Sequence, residues 1–363
     1  MLRMQSLWVL LACCAMQLAS AEPYLAVQSG FKCVQCHVNA TGGGLRNAFG
    51  NAYSQTQLPA DPVVDPDNTA STWLGKIGDV LALGADLRAS ATVTHIPNQD
   101  DTRVFELRQA RLYVDVAIVH DRLDVYVDQL LAPGAAVNRE AYLRYTTRNQ
   151  QWYLKAGQMY LPFGLRLQDD TAFVRQVAGI NMTTPDAGIE VGWESGAWST
   201  QLALTNGSAG GAEANTGKQV SLQTSVSQNR WRIGLGANLN DAERADRRAV
   251  AVFAGVRTGS IAWLAEADYV VDQSPTGPDR KRIVGLIEAN WLVAQGHNVK
   301  LTAEMQDPNR EVTHDNQARL SGLYEYSPIQ FLQLRGGVRY HDGIPQNDLQ
   351  NRRVYFLELH GFY

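Results

Sequence analysis

Cysteine is scarce in this chain: four in 363 residues, two of them at positions 13 and 14 and the others at 33 and 36. That excludes a small fold stapled by several disulfides. Long hydrophobic runs are also missing after the first 21 residues, so no segment reaches the roughly 18 to 20 apolar residues of a membrane helix. An excess of positive charge is missing too. With 32 Lys and Arg against 36 Asp and Glu, the formal net charge of −4 excludes a partner recognised through phosphate neutralisation, and no nucleic acid is expected. By hydropathy alone the remainder reads as soluble. A transmembrane barrel reads the same way, because its strands alternate lipid-facing and lumen-facing residues and never raise a hydropathy window.

What is present begins with Arg3, the apolar run Leu7 to Met16, and Ala19-Ser20-Ala21 before Glu22-Pro23. This pattern predicts a cleaved secretory signal peptide over 1–21. Arg3 is its one charge, so the mature chain would carry 31 basic and 36 acidic residues, a net −5. A lipoprotein box at Leu10 to Cys13 is the alternative, though its apolar stretch would be very short. Either reading exports the protein.

The stretch with the most chemistry is Phe31-Lys32-Cys33-Val34-Gln35-Cys36-His37. Covalent c-type haem attachment needs two thiols to add across two vinyl groups and an imidazole, one residue on, beneath the iron. Cys33, Cys36 and His37 are therefore the predicted cofactor residues, with His37 the iron ligand and one haem c the cofactor. A redox dithiol would be expected in a βαβ unit, which nothing here resembles. A zinc site would lack a fourth ligand and a second pair. Export agrees with the haem reading, since outside the cytoplasm an unattached pair would oxidise.

Residues 22–57 are too few to bury a core of their own. Within them, Gly42-Gly43-Gly44 predicts a turn that lets backbone pass close to a flat cofactor. Leu45, Phe49 and Tyr53 recur every four residues, which predicts one helical face packed either on the cofactor edge or on protein. No Met occurs between Cys36 and Met159, so the sixth iron position has no candidate inside this segment. Residues 58–72, with three prolines and no periodicity, read as an extended linker.

From about Trp73 to Tyr363 the period becomes two. Leu81, Leu83, Ala85, Leu87, Ala89 and Ala91 share one face, while Asp86, Arg88 and Ser90 share the other. Similar alternation recurs from Ala110 to Ile118, from Trp231 to Ala237, from Ile261 to Tyr269 and from Val299 to Met305. The fold class is all-β: about sixteen antiparallel strands of some ten residues, tilted across a membrane. Tight joins near 120–122, 148–150, 195–197, 228–230, 258–260, 295–297 and 327–328 alternate with long polar loops near 95–103, 132–138, 159–186, 205–218, 239–248, 271–282, 307–317 and 341–352. Short periplasmic turns and long outer loops are the outer-membrane pattern, and both barrel ends would then lie in the periplasm. A soluble sandwich would not explain outward faces this apolar.

Two resemblances follow. Phe105 to Leu112, Ala141 to Tyr145, Gly157 to Gly164 and Leu204 to Ser208 resemble the phosphate-selective porin family, and the likeness covers most of 78–363. The arrangement of an exported Cys-x-x-Cys-His segment ahead of a porin resembles the outer-membrane monohaem cytochrome–porin fusions associated with extracellular iron(II) oxidation. That resemblance implies a haem plug at or in the barrel, with Cys33, Cys36 and His37 carrying the cofactor. It also implies electron transfer from an extracellular donor, Fe(II) foremost, to a periplasmic c-type cytochrome or other carrier, which leaves an iron(II) oxidase as the possible enzymatic description. The alternative is a haem-bearing porin whose main role is solute or ion passage. Gly42-Gly43-Gly44 departs from the iron-oxidising pattern.

The lumen bears on that choice. Inward Arg88, Arg111, Arg144, Lys155, Arg232, Lys300 and Arg335 face more acids, among them Asp86, Asp115, Asp124, Asp128, Glu140, Glu190, Glu194, Glu266, Asp268, Glu288, Glu304 and Glu358. An anion path needs the opposite balance. The mixture admits Fe²⁺, and also matches an ordinary charge-paired interior. His95, His120, His297, His314, His341, His360, Met159 and Met182 are candidates for the sixth iron position. Asp100-Asp101 and Asp169-Asp170 are candidates for gathering cations at the mouth, or plain solvated acids.

Overall fold

A computed structural model describes residues 22–63, 73–213, 216–241, 246–274 and 276–363. The predicted signal peptide and residues 64–72 of the predicted linker lie outside them. Alternation of side chains makes the strands, and closure removes the sheet edges that an open sheet would leave unpaired in lipid. The barrel strands are β2 (Leu81–His95), β3 (Thr102–Val119), β4 (Leu123–Ala132), β5 (Val137–Thr146), β6 (Trp152–Met159), β7 (Asp186–Ser195), β8 (Trp198–Thr205) and β9 (Gln219–Gln228). They continue as β10 (Trp231–Asn240), β11 (Arg247–Thr258), β12 (Ile261–Asp272), β13 (Arg280–Ala294), β14 (His297–Asp307), β15 (Gln317–Tyr326), β16 (Leu332–Asp342) and β17 (Arg353–Phe362). Each pairs antiparallel with the next, and β17 pairs with β2 from Arg353 opposite His95 to Phe362 opposite Asp86. The result is a closed sixteen-stranded barrel.

One short extra strand, β1 (Lys76–Ile77), pairs with Leu81 and Ala82 and had no signal in the sequence. Strand lengths run from 8 to 18 residues rather than a uniform ten. In β3 the register slips so that Arg88 faces Gln109 while Ala89 faces Leu107. This bulge at Arg108 keeps Leu107 and Phe105 outward, with Phe105 91% exposed.

Outward faces are apolar from Leu202 and Leu204 through Ile233, Leu301 and Leu320 to Tyr355, Leu357 and Leu359, all exposed. Trp152, Trp198, Trp231, Trp263 and Trp291 are exposed near the ends of their strands that adjoin short turns. That is the aromatic girdle of one membrane interface. Short turns at this rim and long loops at the other match the outer-membrane pattern, in which the short turns face the periplasm.

The lumen is filled from both ends. From the outer side the loop between β6 and β7 folds inward, carrying the short helix Phe173–Ala178. Its Leu161, Phe163, Leu165, Phe173 and Val174 pack on Phe253, Leu264, Val270, Val284 and Leu286 of the inner wall. From the periplasmic side residues 22–57 enter the barrel. They form α1 (Pro23–Ser29), a single 3₁₀ turn over Cys33–Gln35 and α2 (Ala48–Thr56).

Candidate functional site

Proline at the first helical position and a left-handed Gly30 bound α1, and its Tyr24 and Val27 join the apolar cluster on β11 and β12. The chain then turns through Cys33. His37 N and Cys36 N both donate to the Cys33 carbonyl, at 3.0 and 3.1 Å, which holds the two cysteines and the histidine on one turn. His37 forms a bridge with Arg46, and Val38 N donates to the Leu45 carbonyl at 3.0 Å, so residues 38–45 loop back on themselves. Gly42, Gly43 and Gly44 make that loop with φ of +90, +78 and +65°. Three successive left-handed residues are accessible to glycine and to little else. Asn47 caps α2, accepting from Gly50 N at 2.9 Å and donating to the Val34 and Gln35 carbonyls, which ties the helix to the cysteine turn.

Inward-facing wall residues fix the segment. Lys32 Nζ sits 2.7 Å from Glu194, Arg144 donates to the Val38 carbonyl, Arg257 to the Gln28 carbonyl, and Tyr24 to Glu325 at 3.1 Å. Glu22 pairs with Lys300 and Arg335. Asn39 Nδ2 donates to the fully buried Glu140, while Lys155, paired with Glu190 at 3.0 Å, donates to Asn39 Oδ1.

Between this segment and the inward loop lies a cavity of about 740 Å³, part of it open to solvent. Cys33, Cys36 and His37 all line it, so the three predicted residues share one wall. Phe31, Leu25, Leu58 and Leu165 supply apolar surface; Arg46, Arg166 and Arg232 supply charge. Both thiols are free and half-buried. Burial, opposed in part by Arg46, pushes the Cys36 thiol up to about 11. Burial, aided by the Arg46 guanidinium, pushes His37 down to about 3, so at neutral pH the imidazole is uncharged. Its Nδ1 is buried and has no hydrogen-bond partner.

The predicted face of Leu45, Phe49 and Tyr53 forms in part: Phe49 and Tyr53 share a side of α2, their ring centroids 6.4 Å apart, and Leu45 does not join them. Leu45 precedes α2 and packs into the wall with Tyr113, Tyr126, Tyr142 and Met159. Phe49 and Tyr53 instead group with Phe31, at 5.4 and 5.9 Å between ring centroids, and Tyr53 lines the cavity.

Of the candidate sixth ligands, none lines the cavity among the described residues. Met182 Sδ lies 3.5 Å from where a side chain on Gly43, a cavity-lining residue, would begin. Met159 is sealed in the Leu45 cluster. His360 is buried beside Asp86, His297 stacks on Tyr324 and Tyr326, His95 pairs with Asp101, and His341 faces Phe173. His120 and His314 are exposed at the two rims. Asp169 is bound by Arg319 and Arg339 rather than open at the mouth. Among the described residues no three His, Cys, Asp or Glu converge as a metal-ion ligand set.

Sequence reasoning missed Arg46 and Arg166. Arg232 it did place in the lumen, by alternation; Arg166 lies in a loop where no period reveals direction.

Solved structures with this fold include an anion-selective porin from Comamonas acidovorans, at 10% identity with a TM-score of 0.64 over 78% of this chain and 99% of that one. In-vitro folded OmpT, an outer membrane protein of Vibrio cholerae, is similar at 12% identity and a TM-score of 0.60, over 79% of this chain and 99% of OmpT. The outer membrane channel DcaP of Acinetobacter baumannii follows at 13% and 0.54, over 79% and 99%. At such identities these likenesses establish the fold. No curated protein matches the chain in sequence. The family model described as phosphate-selective porin O and P matches residues 82–304, from the first barrel strand into β14. With more than half its length matched, and with a closed sixteen-stranded barrel girdled by tryptophan, the chain belongs to the phosphate-selective porin O and P family of outer-membrane channels.

Proposed function

We propose that this porin-family barrel carries one c-type haem, joined to Cys33 and Cys36 with His37 as iron ligand, and passes electrons across the outer membrane. The observation that carries the reading is that both thiols and the imidazole line a single lumenal cavity of about 740 Å³. The residues present fit the group: His37 offers an uncharged ring with a buried, unpartnered Nδ1, Gly42 and Gly43 allow close backbone approach, and Phe31, Leu25 and Leu165 give apolar surface. Haem supplies a one-electron ferric/ferrous couple whose potential the surrounding protein tunes.

The chain's own residues do the rest. Lys32, Arg144, Asn39 and Glu22 hold the cysteine turn in the barrel, and the inward loop covers the cavity toward the outside. An extracellular donor, Fe(II) first, gives up one electron to become Fe(III), and an oxidised periplasmic carrier takes that electron and is reduced. The carrier reaches the cavity from the rim where Lys32 contacts Glu194 and the Trp198 carbonyl.

Solute passage is the second reading, and family membership favours it. Against selective anion flow, the buried lumenal cations Arg111, Lys155, Arg175, Arg319 and Arg335 are each paired with a carboxylate. The test is stopped-flow absorbance of the folded protein mixed with Fe²⁺, after haem staining of outer-membrane fractions. Staining lost in Cys33→Ala with Cys36→Ala, together with rapid reduction by Fe²⁺, supports the conduit. An unstained or unreduced chain that conducts ions freely in bilayers supports passage.

A further inference from the structure

The charge on the cavity wall runs opposite to that of the chain. The protein is net acidic, yet the cavity is lined by Lys32, Arg46, Arg166 and Arg232 against one carboxylate, Glu22. Glu22 is already engaged by Lys300 and Arg335, and Lys32 by Glu194.

Arg166 and Arg232 form no salt bridge among the described residues, although Glu140 lies close enough to act on Arg166 through space. Arg166 Nη1 is buried without a hydrogen bond, and Nη2 reaches only the Leu161 carbonyl at 3.4 Å. Arg232 Nε is likewise buried and unpartnered; its Nη1 lies 3.3 Å from Cys33 Sγ and its Nη2 3.3 Å from Ser225 Oγ. Elsewhere the wall pairs buried cations such as Arg111, Lys155 and Arg319 with carboxylates, whereas this half-buried pair at the cavity forms no salt bridge among the described residues. Both are half-buried, Arg166 over the Tyr160 ring at 4.9 Å and Arg232 over the Phe253 ring at 5.3 Å, and a guanidinium held there without a salt bridge stabilises whichever state of a neighbour carries more negative charge.

We propose that Arg166 and Arg232 together set a raised reduction potential for the cofactor, suiting the site to weak one-electron donors. The inference rests on the haem reading. Reduction adds one negative charge at the iron, and two fixed cations on the wall favour that state. Arg232 comes from β10 and Arg166 from the inward loop, so barrel wall and loop act on the same centre.

The experiment is potentiometric titration of the purified, haem-loaded full chain and of Arg166→Gln, Arg232→Gln and the double variant, each with haem content read as the pyridine haemochrome. With haem content and visible bands unchanged, each Gln variant is expected to raise the ferric-to-ferrous ratio at fixed potential about tenfold. For one electron that is a fall of about 59 mV in midpoint. The double variant should fall further, and Arg232→Lys should keep most of the wild-type value. Haem-loaded Gln variants with the wild-type midpoint overturn the proposal. So does a wild-type midpoint that drops to the Gln value on adding inorganic phosphate, which would mean the pair serves a free anion. A wild-type chain without the haemochrome overturns the haem reading itself, and is told apart by that assay before any titration.

Discussion

Asn39 Nδ2 donates to Glu140 Oε1 at 3.1 Å, and the same oxygen accepts from Tyr160 N at 2.9 Å. One buried carboxylate on β5 therefore holds both the N-terminal segment and the root of the inward loop. Glu140→Ala strands the Asn39 amide and the Tyr160 N–H, each costing about 1–3 kcal/mol when buried unmet. The expected outcome is a fall of about 2–6 kcal/mol in unfolding free energy by denaturant titration, with hydrogen exchange faster at residues 38–45 and 160–165. A variant as stable as wild type, with unchanged exchange at both segments, would show that this carboxylate does not bind them.

Removing residues 22–57 should open the barrel. The segment is held by wall residues from Arg144 on β5 round to Arg335 on β16, whereas the inward loop has its own apolar seat on β11 to β13. The truncated chain should still fold, keep its shift in mobility on heating, and conduct ions in planar bilayers at several times the level of the full chain. Equal conductance from both would mean the segment leaves the lumen in the native membrane.

Asp169 anchors the loop at its outer end, with Arg319 and Arg339 at 2.9 and 3.1 Å and Thr171 N at 3.0 Å. Burial alone would raise its carboxyl, but Arg339 and then Arg319 outweigh it and hold the group well below the usual carboxylate range. A carboxyl depressed in the folded state stabilises fully above its unfolded value of about 3.9 and loses that contribution only as pH falls through the folded one. Protection of amides 170–173 against hydrogen exchange, corrected for intrinsic rates, should thus stay constant from pH 7 to 4. In Asp169→Asn it should be several-fold lower throughout that range.

The barrel was legible because a period of two carries the inside and the outside at once: Asp86, Arg88 and Ser90 are buried while Leu87, exposed, looks out. The Cys33, Cys36 and His37 turn was legible because its spacing is local. What joins them was not. Glu140 shows in the sequence as one more inward acid, and nothing local links it to Asn39, 101 residues away. Arg166 sits where the chain has no period. The loop did carry a signal in Leu161, Phe163, Leu165 and Phe173, apolar residues unsuited to an outer surface. The helical face read from Leu45, Phe49 and Tyr53 kept Phe49 and Tyr53 but lost Leu45, which precedes α2 beside the His37–Arg46 bridge and packs into the wall.

Gly50 offers a test in which two effects oppose. It lies in the first turn of α2, where Ala would ordinarily improve an isolated helix by about 1 kcal/mol. Yet a Cβ there would collide with the Cys36 carbonyl oxygen and come within 3.0 Å of Cys36 Cα, and these are backbone atoms that cannot swing aside. Overlap of that kind exceeds the propensity gain, since small-to-large changes at packed sites cost about 1–3 kcal/mol. Gly50→Ala should therefore loosen the cysteine turn from α2 while leaving the barrel intact. The expected readout is faster protease cleavage within 30–50 at an unchanged barrel unfolding midpoint. If Gly50→Ala instead slows cleavage, α2 is not packed on the Cys36 backbone and the turn is held by Asn47 alone.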